Sequence, residues 1–136
     1  MQRLRTRPQF QVTLAGVLIA KTEHFALHRN ALIEIASPGQ PGVALISSSL
    51  FPVADLWLGA MTPKRWARRA VTRNAIKRQI YSVSENFQHL FPRAAFVVRL
   101  RREFSRAQFV SAGSAALKVA VRQELLTLFQ AGATAA

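Results

Sequence analysis

Residues 64–78 read KRWARRAVTRNAIKR and hold Lys64, Arg65, Arg68, Arg69, Arg73, Lys77 and Arg78 without one acid. After Asp55 the next acid is Glu85. So dense a run of uncompensated cations calls for a polyanion, and a polyphosphate chain suits it. Arg offers phosphate a planar fork and a flat face for stacking, and Lys offers a point charge. The bland reading is a solvated helix face. Such faces usually mix signs and gain pairs four residues apart, and this one does not. Bond-breaking chemistry has no comparable signal. His24, His28, His89 and the six acids are scattered, with no DxD or HExxH spacing. No serine sits in a nucleophile elbow, and nothing resembles a P-loop or a dinucleotide-binding turn. A metal-dependent nuclease gathers carboxylates around Mg²⁺, and this chain is short of them. With no cysteine, disulfides, thiolate metal sites and a Cys nucleophile are excluded.

A helix must position these cations. Ile76, Ile80, Val83 and Phe87 recur at spacings of four, three and four, so they fall within an arc of about 60°. Arg73 and Lys77 lie just beside that arc, and Asn74, Arg78 and Tyr81 lie further round. Continued backwards, the same wheel buries Arg69. The helix is therefore predicted to start near Ala70, with residues 64–69 as an irregular basic approach. Trp66 in that approach is either a core plug or a stacking platform, and the plug reading is preferred.

Before the helix, DLWLGAMT over residues 55–62 reads as a strand. Leu58 and Ala60 share one face, and Trp57, Gly59 and Met61 the other. A glycine inside a strand marks close approach by another backbone or a ligand. Thr62-Pro63 ends the strand.

The segment WLGAMTPKRWARRAVTRNAIKRQI, residues 57–80, resembles the signature of the bacterial ribonuclease P protein component. That family has a Leu-Gly strand, a Ser/Pro-Lys-Lys/Arg turn, a basic loop and an Arg-Asn-Arg-Ile-Lys-Arg helix start. Leu58-Gly59, Pro63-Lys64-Arg65 and Arg73-Asn74-Ala75-Ile76-Lys77-Arg78 match in order and spacing. Ala75 departs from the pattern, so one expected RNA contact is missing. The match extends more weakly over most of the chain.

The whole composition sets bounds. The chain has 136 residues, one domain's worth, and 50% are hydrophobic, enough for a core. The net charge of +13 speaks of partners, nucleic acid first and an anionic membrane second. No apolar run approaches the ~18 residues of a membrane span. MQRLRTRPQF is Arg-rich and lacks the apolar core of a secretory signal; a mitochondrial transit peptide is the alternative. Absence of cysteine is compatible with a reducing cytoplasm, the expected location.

Along the chain, residues 1–7 read as a mobile basic arm. Pro8 can open a short helix, with Phe10 and Leu14 along one side, Val17 a candidate third, and Gly16 as its stop. Residues 17–20 form a candidate strand. In the strand that starts at Phe25, alternation puts Phe25, Leu27 and Arg29 on one face and Ala26, His28 and Asn30 on the other. SPGQPG is turn chemistry, and residues 37–53 look like an insertion, too apolar to be a free linker. Residues 96–100 form a short apolar strand interrupted by Arg99. Ser105 can cap a final helix with Phe109, Ala112, Ala116, Leu117, Ala120, Val121, Leu125 and Leu128 on its apolar face. Gly113 weakens that helix, and the last residues, 131–136, read as a tail. The order of elements implies a two-layer α+β domain.

By the resemblance, the fold is an αβββαβα sandwich with a four-stranded sheet and a left-handed βαβ crossover, against the usual hand. The implied function is that of the protein subunit of a ribonucleoprotein that removes the 5′ leader of precursor tRNA. The RNA subunit would carry the Mg²⁺ ions and the hydrolysis, and the protein would bind no cofactor itself. Lys64, Arg65, Arg68, Arg69, Arg73, Asn74, Lys77 and Arg78 would face the catalytic RNA, one protein per RNA. Phe10, Leu14, His28 and Met61 would line the leader cleft, His28 as a ring on which an unpaired base could stack. Phe10 and Leu14 are equally readable as plain core residues, and His28 as a surface residue. No membrane partner is expected. The rival in another class is a structural RNA-binding protein of ribosomal type. Duplex DNA binding is weaker, since neither zipper heptads nor a helix-turn-helix is present.

Overall fold

The computed structural model describes residues 1–30, 51–52, 55–104 and 115–135. In chain order these form β1 (Gln2–Arg3), α1 (Arg7–Leu14), β2 (Val17–Lys21), β3 (Phe25–Asn30), β4 (Trp57–Met61), α2 (Ala70–Glu85), a 3₁₀ turn (Gln88–Leu90), β5 (Ala95–Leu100) and α3 (Ala115–Ala135). The strands build one sheet in the order β1-β4-β5-β3-β2. β3 pairs antiparallel with both β2 and β5, whereas β4 runs parallel to β5 and to β1. Parallel neighbours need a long crossover, and between β4 and β5 the chain passes through α2.

The α+β architecture is the expected one, with a fifth strand added to the expected four. The extra strand comes from the segment read as an arm. Gln2 N donates to Leu56 O at 2.8 Å and Leu4 N to Leu58 O at 3.0 Å. The N-terminal ammonium lies 3.4 Å from Asp55. Leu4 is buried. A two-residue strand carries no periodicity that could have revealed it.

Local chemistry explains the helices. Thr6 and Gln9 form a capping box on α1: Gln9 N donates to Thr6 Oγ1, and Thr6 N to Gln9 Oε1. Pro8 falls in the first turn, where it costs no hydrogen bond. α2 begins at Ala70, and Ile76, Ile80, Val83 and Phe87 are buried as their spacing requires.

The end of the chain departs from expectation. Residues 131–135 continue α3 instead of forming a tail. Gly132 lets this turn of the helix sit close to β3: a Cβ there would lie 2.5 Å from Leu27 Cδ2. The apolar face of α3 is Leu117, Val121, Leu125, Leu128 and Phe129. Ala116 is exposed and Ala120 half-buried, so neither belongs to it as expected. The expected Ser105 cap, with Phe109, Ala112 and Gly113, lies outside the described residues, as does most of the 37–53 insertion. Phe51, from that insertion, is buried edge-on to Trp57 at 5.4 Å between ring centroids.

The main core fills one face of the sheet. Phe25, Leu27, Leu58, Ala60, Phe96, Val98 and Leu100 meet Ile76, Ile80 and Val83 of α2 and the apolar face of α3. A smaller cluster of Leu4, Phe51, Trp57, Ala95 and Val97 lies on the other face, with Phe10, Val12, Leu14 and Met61 half-buried against it.

Candidate nucleic-acid interface

The basic approach is a folded turn rather than loose chain. Pro63 O accepts from Trp66 N at 3.0 Å and Ala67 N at 3.1 Å. Ala67 is buried, and Trp66 packs half-buried against the main core. Its indole N–H has no hydrogen-bond partner among the described residues, which fits the plug reading. With the turn anchored from inside, Lys64, Arg65, Arg68 and Arg69 are left exposed. Arg65 lies over the Trp66 ring, 5.1 Å from its centroid.

Arg73 has a role its sequence position did not reveal. Its Nη1 donates to Ala67 O at 3.1 Å and to Arg68 O at 2.8 Å. The guanidinium braces the approach against the first turn of α2, and it is half-buried rather than fully presented. Further round α2, Asn74, Lys77 and Arg78 are exposed and line an open groove with Tyr81, Ser82, Glu85 and Arg3. Arg3 crosses from β1 to lie over the Tyr81 ring, 4.0 Å from its centroid. Sequence reasoning missed Arg3, because it assigned that residue to an arm. Ala75, the departure from the family pattern, is half-buried on the neighbouring side of the helix.

Phe10, Leu14, His28 and Met61 come together on the second sheet face. The registers place Ala26, Arg99 and Met61 in one row across β3, β5 and β4, and His28, Val97 and Gly59 in the next. α1 crosses this face. Asn30 Nδ2 donates to Val12 O at 2.8 Å, tying α1 to β3. A Cβ on Gly59 would lie 2.5 Å from Phe10 Cε1, so the glycine is what lets α1 sit on the sheet. Phe10, Leu14 and Met61 are half-buried, so the face is covered only in part.

His28 and Arg99 set the polarity of that floor. Arg99 Nε donates to His28 Nε2 at 3.4 Å, so this nitrogen is the acceptor of a neutral ring. Burial first, and then the Arg99 charge, hold the imidazole below its ordinary range. Arg99 was visible in the sequence only as an interruption of a strand. Strict alternation from Ala95 through Val97 would have placed it on the His28 face.

Sequence separation hid one further cluster. Glu23, His24 and Glu124 each bring a possible metal-ligating atom within 4.8 Å of the others. Glu124 is already engaged, however. Oε2 accepts from Thr22 Oγ1 and His24 N, both at 3.1 Å, and Oε1 lies 2.8 Å from His24 Nδ1. The His24 ring stacks on Phe104 at 3.9 Å. The arrangement staples the β2–β3 turn to α3.

The fold and the placement of its cations define a basic α+β sandwich with one closed and one half-open sheet face. The chain belongs to the ribonuclease P family, whose sequence pattern matches residues 1–124. Among solved structures it is similar to the RNase P protein of Staphylococcus aureus, at 16% identity and a TM-score of 0.63, covering 96% of this chain and 94% of that one. It is also similar to a mutant of the Staphylococcus aureus protein with defective mRNA degradation activity, at 16% identity and a TM-score of 0.60, covering 94% and 85%. At such identity these likenesses speak to the fold. Comparison with curated proteins gives no match. Family membership gives the chain a part in an endoribonuclease complex, in tRNA processing, with ribonuclease P RNA as its partner. Among the described residues no helix is long and apolar enough to cross a membrane.

Proposed function

We propose that this chain holds the catalytic RNA of ribonuclease P on α2 and its basic approach, and the 5′ leader of precursor tRNA on the half-open sheet face. One protein serves one RNA. Mg²⁺ belongs to the RNA partner, where it supplies the hydrolytic chemistry. The chain's own residues neutralise phosphate, steady the folded RNA and keep the leader extended. The observation that carries this reading is the acid-free array of residues 64–78, whose backbone turn is anchored by Trp66, Ala67 and Arg73. A folded turn loses less backbone freedom on binding than loose chain.

The test is reconstitution at low Mg²⁺ with a bacterial ribonuclease P RNA and a precursor tRNA labelled at its 5′ end. Protein-dependent release of the intact leader is the expected result. Binding to the RNA without any gain in leader release, across Mg²⁺ concentrations and with a cognate RNA, would favour the structural RNA-binding role instead. Each phosphate neutralised releases condensed cation, so replacing both Lys77 and Arg78 by Ala should flatten the salt dependence of log K by about two.

A further inference from the structure

The groove on the outer side of α2 combines two kinds of group. Lys77 and Arg78 are exposed cations with Asn74 beside them as an amide donor and acceptor. Arg3 Cζ lies over the Tyr81 ring, 4.0 Å from its centroid. Tyr81 is half-buried, and its phenol is pushed up chiefly by burial, with the Ala60 backbone and the Arg3 charge pulling the other way. The ring is thus seated against β4 rather than swinging free. Arg3 in turn is carried on β1, and its neighbours Gln2 and Leu4 donate their backbone N–H groups to Leu56 O and Leu58 O. Gln2 Nε2 also donates to Asp55 Oδ2 at 3.3 Å. The guanidinium is therefore a planar, exposed group on an anchored backbone, lying over the Tyr81 ring beside cations suited to phosphate.

We infer that this groove is a subsite for one unpaired nucleotide of bound RNA, with its base stacked on the outer face of the Arg3 guanidinium and its phosphate against Lys77 and Arg78. Phosphate alone would explain the cations but leave the flat pair without a use. Guanidinium planes stack on unpaired bases as aromatic rings do. A duplex would offer the groove phosphates but no open base face. Glu85, which also lines the groove, disfavours a second phosphate beside it, so the subsite takes one nucleotide rather than a continuous backbone. The inference rests on the reading of α2 as an RNA-binding face. It does not depend on ribonuclease P activity.

The test uses the full chain and two probes, a short single-stranded oligoadenylate and an abasic ribose-phosphate oligomer of the same length. The unmodified protein should bind the base-bearing oligomer at least about five-fold more tightly. Arg3→Lys keeps the charge and removes the plane, so it should lower that preference several-fold while leaving abasic binding unchanged. Lys77→Ala should weaken both probes alike and flatten the salt dependence by about one. Thermal unfolding of Arg3→Lys should match the parent, because the backbone bonds of β1 do not involve this side chain. Equal binding of the two probes by the parent overturns the inference. So does a base preference that Arg3→Lys leaves undiminished, because it places the whole stacking contact elsewhere, on the half-open sheet face. Neither result touches the leader-release assay, so the subsite and the function fail separately.

Discussion

The two faces of the sheet are built from the same strands and reach opposite ends. On one face, Phe25, Leu27, Phe96, Val98 and Leu100 are sealed under two long helices. On the other, one eight-residue helix covers a floor on which Met61, His28 and Arg99 stay half-exposed. A strand alternates its side chains between faces, so parity assigns each residue of β3, β4 and β5 to one face or the other. The open face tolerates Arg99 and His28 because water still reaches them.

This contrast can be broken in order of expected effect. Leu125 is fully buried on the closed side. Leu125→Ala should cost about 2–5 kcal/mol of stability in urea unfolding, with RNA affinity of the folded fraction unchanged. A selective loss of RNA affinity would mean that the two faces are coupled. Gly59→Ala tests the open side. The new Cβ meets Phe10 Cε1 and Leu4 Cδ1, at 2.5 and 2.8 Å, so α1 must shift. The expected cost is about 1–3 kcal/mol, with a change in leader affinity and none in affinity for the catalytic RNA. Unchanged leader affinity in titrations with 5′-extended and leaderless tRNA would remove Phe10 from the cleft.

The staple offers a sharper control, because none of its residues belongs to either proposed RNA surface. Glu124→Ala leaves Thr22 and His24 without their shared acceptor. About 1–3 kcal/mol of stability should be lost, with leader release at saturating protein unaffected. The smallest effect concerns pH. The folded-state pKa of His28 is depressed, so the unfolded chain binds the extra proton more readily. The stability this provides is full above the ordinary histidine range near 6.5 and is lost as pH falls through the lower folded value. Urea midpoints should show that component in the parent and lack it in His28→Gln. An identical pH profile in both would mean that His28 is not held neutral by the floor.

The legible part of the molecule was the part with a long, uninterrupted pattern. The spacing of Ile76, Ile80, Val83 and Phe87 placed the start of α2 at Ala70 and turned Asn74 and Arg78 outward, as the structure has them, whereas Tyr81 packs half-buried against the core. Alternation in β3 and β4 assigned Phe25, Leu27, Leu58 and Ala60 to one face and His28 and Met61 to the other. Short or terminal pieces were misread. Gln2–Arg3 is too brief to show a period, and residues 131–136 read as a tail although the helix continues to Ala135 with Gly132 packed against Leu27.

What the sequence by itself determined is the inventory: an acid-free cationic run, the helix that carries it, the parity of the strands, and the absence of catalytic spacing. These are properties of neighbours along the chain, and the periods of helix and strand read them out directly. Only the tertiary structure decided which distant groups meet. It turned Arg73 inward as a brace for the basic turn, laid Arg3 on Tyr81, set Arg99 beside His28 and brought Glu124 to His24 across 100 positions. Such meetings depend on sheet order and helix docking, which follow from how the apolar faces are buried together. No local pattern encodes that burial.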